Sequence, residues 1–255
     1  MTGPRRDLHS GHYGGSVQNP IQALVAVLAT LHDAEGRVTV PGFYDDVLPM
    51  TDEERTALSG MQARFMDEWR TVTGAPQPWG EPEYLPHERV AARPTLEING
   101  IGGGYAGEGF KTVLPARAIA KISCRLVPDQ DPQQVYMALL AHLTPLVPPT
   151  VTVEIRPLEE GSPGFVLDRN TPAMRAAALA YEQAWGVAPI FWRDGGSIPV
   201  VTAFAEHLRT AIVMLPYGYK GGGAHSTNEH VYLAMFHKGI ATTIAFCQQL
   251  AMQLP

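Results

Sequence analysis

The side chains best suited to chemistry sit in two glycine-rich stretches, Asp7-Leu8-His9-Ser10-Gly11-His12-Tyr13-Gly14-Gly15 and Gly221-Gly222-Gly223-Ala224-His225-Ser226-Thr227-Asn228-Glu229-His230. Glycines there remove side-chain cover and let the backbone turn tightly, so His9 and His225 project from loops and not from apolar faces. Such an imidazole can bind a metal ion, serve as a general base or donate a hydrogen bond. It can equally be a surface residue that satisfies only its own loop, and spacing alone does not separate these readings. Arg125 ends an alternating run, where it is either an ordinary surface cation or a fork that holds a carboxylate by two parallel bonds. Ser197, in Asp194-Gly195-Gly196-Ser197-Ile198-Pro199, reads as a helix N-cap, and a helix N-terminus also favours an anion.

Whole-chain properties exclude several classes. The 255 residues allow one large domain or two small ones, and 45% hydrophobic with 17% charged residues describes an ordinary globular protein. A net charge of −6 without a Lys/Arg cluster argues against a nucleic-acid surface. No uninterrupted apolar run has membrane-spanning length, and no leader-like core stands at the start. The two cysteines, Cys124 and Cys247, lie in apolar runs and read as buried thiols of a reducing compartment, which predicts a cytoplasmic protein.

The elements that must position the candidates follow from periodicity. Asn19-Pro20 caps and starts a helix through about His32 with the stripe Ile21, Leu24, Val25, Leu28 and Leu31. Thr51-Asp52-Glu53-Glu54 is a capping box for a helix through about Thr71 with a solvated charged face, and the prolines between 74 and 94 predict an irregular excursion. Residues 95–101 and 118–127 alternate as strands, Pro132 opens a helix, and residues 151–155 read as a third strand. Helix, strand, strand, helix, strand is a ferredoxin-like βαββαβ unit without its first strand. Beyond Gly161-Ser162-Pro163-Gly164 the pattern becomes α/β: a helix at about 171–185, short strands at 189–192 and 211–215 with a short helix between them, and a final helix from Val231. The stripe Leu233, Phe236, Ile240, Ile244, Cys247 and Leu250 predicts core packing for that helix.

Taken together, five motifs resemble, in order, those of the M20 family of metal-dependent peptidases, most closely its cytosolic nonspecific dipeptidase (carnosinase-like) branch. They are Arg6-Asp7-Leu8-His9-Ser10-Gly11 with Tyr13-Gly14-Gly15 and Asn19-Pro20; Lys111-Thr112-Val113-Leu114-Pro115-Ala116; Arg125-Leu126-Val127-Pro128; Asp194 through Pro199; and Gly223-Ala224-His225-Ser226 with Asn228-Glu229. The resemblance implies an α/β (α+β) protein. Residues 1–163 would form a ferredoxin-like lid and dimerisation domain lacking its first strand, with an insertion at about 36–93. Residues 164–255 would form the C-terminal part of a zinc-peptidase catalytic domain.

It also implies roles. His225 would be a metal ligand in a site for two Zn²⁺ (or Mn²⁺) ions. His9 would reach across a homodimer formed through the lid, to polarise the scissile carbonyl in the partner's site, with Thr112 beside it. Arg125 and Ser197 would grip the C-terminal carboxylate of a dipeptide or short peptide. The family's further substrate-contacting histidine has no counterpart in Leu167-Asp168-Arg169-Asn170-Thr171-Pro172. Its remaining metal ligands and its water-activating glutamate precede the lid. The expectation is therefore a part of a dipeptidase that is inactive by itself and is completed by a missing N-terminal half. The alternative is a non-catalytic dimerisation or binding fragment.

Overall fold

In the computed structural model, which describes residues 1–195, 199–208 and 210–253, the stretch around His9 becomes a short strand, β1 (Leu8–His9), and a one-turn helix, α1 (Ser10–Tyr13). Helix α2 (Pro20–Leu28) follows, with Asn19 Oδ1 accepting from the Ile21 N–H at 2.9 Å and Pro20 in the first turn, where its missing N–H costs nothing. It ends short of the expected His32, and its buried side is Ala23, Leu24, Val27 and Leu28, while Val25 is exposed.

Next come α3 (Asp52–Ser59) and α4 (Gln62–Thr73), where one helix was expected. Thr51 and Glu54 close the predicted capping box, and the break falls at Gly60, a residue that gains least from helix. Helix α5 (Pro86–Ala92) was not anticipated in the proline-rich excursion, although Pro86 in its first turn and Glu88 at its third position are start signals. Strands β2 (Thr95–Gly103), β3 (Val113–Leu114) and β4 (Ala118–Arg125) precede α6 (Pro132–Leu143), α7 (Pro172–Trp185), α8 (Pro199–Leu208) and α9 (Leu233–Gln253).

The chain divides into two compact units, Met1–Pro49 with Trp79–Gly164, and Met50–Pro78 with Phe165–Pro255. In the first, β2 and β4 pair antiparallel and α2 packs on β4. Leu24, Val27, Leu28, Leu31, Leu96, Val135 and Leu143 share one core with Val38, Val40 and Phe43. The start of the insertion is thus core material. Each such side chain contributes about 1.5–3 kcal/mol on burial.

The sheet is smaller than expected. Thr2 forms antiparallel bridges to Arg117 and to Thr152, with Thr2 N–H to Thr152 O at 2.8 Å and Ala118 N–H to Met1 O at 2.9 Å. The predicted strand at 151–155 reduces to that single bridge. Residues 153–155 form no strand, although Ile155 O accepts from the Tyr136 hydroxyl at 3.2 Å.

The cysteines differ from one another. Cys124 packs against the core, and burial pushes its thiol from an ordinary 9.0 up to about 11. Cys247 is exposed, against expectation. Cys124 is expected to react with a thiol reagent more slowly than the exposed Cys247, because burial keeps its thiol protonated and shields it from the reagent. Equal labelling rates by mass spectrometry would contradict this.

In the second unit, α7 and α9 pack through small residues. Ala176, Ala177 and Ala180 are buried on one helix, and Gly239, Thr242 and Ala245 on the other. The Trp185 indole N–H donates to Thr242 Oγ1 at 3.0 Å, and a Cβ at Gly239 would strike the Tyr217 ring at 2.8 Å. The charged face of α3 is not wholly solvated, since Glu54 pairs with Arg193 and its carboxyl lies below the ordinary range. Burial opposes that shift, but the Thr51 N–H and Arg193 outweigh it. The stripe predicted as core faces outward: Leu233, Phe236, Ile240 and Ile244 are exposed. Residues 189–192 and 211–215 form no strands. A strand needs a neighbour for its ladder bonds, and no described residue supplies one. Among the described residues, no helix is long and apolar enough to cross a membrane.

Candidate functional site

The first unit builds a ribbon around His9. β1 pairs antiparallel with β3, placing Leu8 opposite Leu114 and His9 opposite Val113, and Ser10 N–H bonds to Thr112 O at 2.9 Å. Sequence-distant His9 and Thr112 are therefore neighbours. Asp7, unassigned by the sequence reading although it lies two residues before His9, locks the ribbon by accepting from the Ala116 N–H at 2.8 Å. His9 itself caps α1: the Gly11 N–H donates to Nδ1 at 3.0 Å. An accepting Nδ1 leaves the proton of the neutral ring on Nε2, so His9 offers an N–H donor on its far side. The His12 ring lies 4.7 Å away, centroid to centroid. A cleft of about 440 Å³ opens here, lined by Asp7, His9, Phe110, Lys111 and Thr112 among others.

Arg125 stands elsewhere. It closes β4 at the end opposite Ala118, the end from which the chain leads back to β3 and His9. Seven residue steps along a strand cover about 23 Å. Its side chain is exposed and makes no ion pair among the described residues.

In the second unit the His225 loop is clamped at its base by Gly222 N–H to Tyr219 O and His230 N–H to Gly222 O, each 2.8 Å. A Cβ at Gly222 would meet His230 O at 2.6 Å, so only glycine fits the clamp. Gly223, His225 and Asn228 all take left-handed backbone, with φ of 70°, 62° and 60°. For the two that are not glycine this costs on the order of 1 kcal/mol or more, strain of a kind that gathers at functional sites. His225 is exposed. Ser197 lies outside the described residues.

A metal centre does not fit these groups by themselves. Among the described residues no three His, Cys, Asp or Glu side chains gather as they would have to around a cation, and His225 is a single donor.

Comparison with known proteins gives the frame. The sequence profile of the peptidase dimerisation domain of M20 enzymes matches residues 1–151. The chain is 33% identical over 260 residues to the Cys-Gly metallodipeptidase of Candida albicans, covering 95% of this chain and 50% of that protein. It is 30% identical over 250 residues to the human Beta-Ala-His dipeptidase, covering 96% of this chain and 49% of that protein. The solved structure of the dipeptidase Dug1p from Saccharomyces cerevisiae superposes with a TM-score of 0.84 at 30% identity, over 98% of this chain and 53% of that one. An M20 family metallo-carboxypeptidase from Sulfolobus solfataricus gives the same TM-score of 0.84 at 30% identity, over 99% and 57%. The chain spans about half the length of the curated relatives it matches. On its profile match, its motifs and its fold, this chain belongs to the M20 peptidase family.

Proposed function

We propose that this chain forms part of a metal-dependent dipeptidase that hydrolyses short peptides with a free C-terminal carboxylate, in a site shared between two copies. One observation carries the reading: His9 and Thr112 share the β1–β3 ribbon, while Arg125 closes β4 at the end opposite Ala118, a strand span of about 23 Å. Groups that must meet one small substrate are thus divided between two ends of one unit, and a second copy can bring the far ends together. Homology to a dimerisation domain supports the same arrangement.

In that site the Nε2–H of one copy's His9 donates to the carbonyl oxygen as negative charge develops there, and the Thr112 hydroxyl stands beside it. Arg125 and Ser197 of the other copy hold the substrate carboxylate, by a charged fork and a helix N-terminus. His225 would supply one ligand to a two-ion Zn²⁺ or Mn²⁺ centre, whose chemistry when bound would be to polarise the attacked carbonyl and activate water. The other ligands and the water-activating carboxylate come from groups outside the described residues, so no water-activation step is assigned to this chain.

The exposed stripe of α9 favours a second reading, a non-catalytic binding fragment whose partner covers Leu233, Phe236, Ile240 and Ile244. Turnover and metal content test both. The purified chain with added Zn²⁺ or Mn²⁺ is expected to hydrolyse no dipeptide and to retain less than one tightly bound ion. Metal-dependent turnover that survives purification and is abolished by His225→Ala would overturn the assignment of missing ligands. Failure of an added polypeptide carrying those ligands to restore activity would favour the fragment reading.

A further inference from the structure

Between β2 and β3 runs a loop rich in glycine, with Gly104 and Gly109 at φ of 66° and 75°, next to Gly103 at the end of β2 with φ of 142°. Such a composition alone would leave it loose, yet it is braced from within. The Tyr105 hydroxyl donates to Glu108 O at 2.8 Å, and Lys111 Nζ lies 4.6 Å from the centre of the Tyr105 ring. A Cβ at Gly107 would meet Tyr105 Oη at 2.7 Å, so the backbone closes tightly on that ring. The loop wraps one tyrosine and holds the next aromatic residue out: Phe110 is 87% exposed. Phe110 takes no part in the bracing, but it lines the cleft of His9, Lys111 and Thr112.

We infer that Phe110 is a specificity-determining residue of this cleft: its ring receives the apolar side chain of the peptide residue whose carbonyl faces His9. The inference rests on the reading of the cleft as part of a peptide site. The chemistry divides cleanly. His9 Nε2–H and the Thr112 hydroxyl address polar peptide groups, whereas Phe110 is the one phenyl ring among the described residues that line the cleft. An exposed aromatic face rewards a partner that removes it from water, and aromatic side chains gain further from ring–ring geometry. Dipeptides with a large apolar or aromatic first residue are therefore preferred over glycyl ones.

The test is a titration of the full chain with Phe-Gly and with Gly-Gly, followed by NMR at the Phe110 ring and the His9 imidazole. Phe-Gly is expected to bind about five-fold more tightly. Phe110→Ala brings the two affinities to about the same value, and Phe110→Leu keeps part of the difference. The exposed position of Phe110 leaves folding unaffected in both variants. A preference for Phe-Gly that survives Phe110→Ala, while His9→Ala still weakens both dipeptides, overturns the assignment of Phe110 alone. Binding of neither dipeptide, or binding indifferent to His9→Ala, overturns the peptide-site reading and this inference with it.

Discussion

Mixing His9→Ala subunits with His225→Ala subunits, in enzyme assembled with a polypeptide that supplies the remaining metal ligands, restores turnover that neither variant shows alone. His9→Ala by itself is expected to lower kcat about a hundredfold to a thousandfold, the usual cost of losing an oxyanion donor. His225→Ala removes a metal ligand and is expected to be at least as damaging. If His9 serves the site that holds the other copy's His225, a mixed dimer carries one site with both defects and one with neither. Random pairing of equal amounts makes about half the dimers mixed, so activity returns to about a quarter of the unsubstituted enzyme. The motive is geometric, since β4 separates Arg125 from the β1–β3 ribbon. No recovery on mixing would reject the placement of His9 in its partner's site.

Glu81→Leu is expected to destabilise the first unit by about 3–5 kcal/mol, the range for leaving one partner of a buried ion pair uncompensated. The Glu81 side chain is 5% exposed and that of Arg93 11%. Arg93 donates to both carboxylate oxygens, at 2.9 and 2.8 Å, and lies 4.5 Å from the centres of the Tyr44 and Tyr84 rings. Burial works against the Arg93 cation, yet the Glu81 carboxylate outweighs it and holds the guanidinium pKa above its ordinary value. Removing only the carboxylate strands that cation among aromatic rings. The double variant Glu81→Leu with Arg93→Met removes the stranded charge and is expected to recover much of the loss. Amide exchange in α5 and β2 reads the effect locally, which suits a chain of two units. A single-variant loss below about 1 kcal/mol would show that the pair is effectively solvated.

What the residues announce and what they conceal divide along one physical line. Local signals were legible wherever one segment settles its own state. Asn19-Pro20, the Thr51–Glu54 box, Asp131 before Pro132 and Thr171 before Pro172 each mark a helix start that the structure keeps. The strands at 95–103 and 118–125 followed from alternation because each has the other as a partner. Candidate chemistry was also local in origin, since glycine-flanked histidines and a strand-end arginine declare themselves by type.

Partnership was not legible. Residues 151–155, 189–192 and 211–215 have strand composition and form no strands, because a strand is completed by hydrogen bonds to another segment. The stripe of α9 has the period of a buried face, yet burial depends on what lies opposite, and the side that packs on α7 is the one with Gly239, Thr242 and Ala245. The excursion between 74 and 94 hid a helix and an ion pair whose members lie twelve residues apart.

By itself, then, the sequence determined the helix starts set by caps, the alternating strands and the family motifs, and it singled out His9, Thr112, Arg125 and His225 as candidates, all of which depends on residue type and short spacing. Only the tertiary structure decided that His9 and Thr112 share one ribbon with Asp7 as its lock, that Phe110 stands out on a braced loop beside them, and that Arg125 faces a different place at the far end of β4. Those facts depend on which distant segments hydrogen-bond to one another, and pairing across a hundred residues is chosen by the fold as a whole, not by any stretch of it.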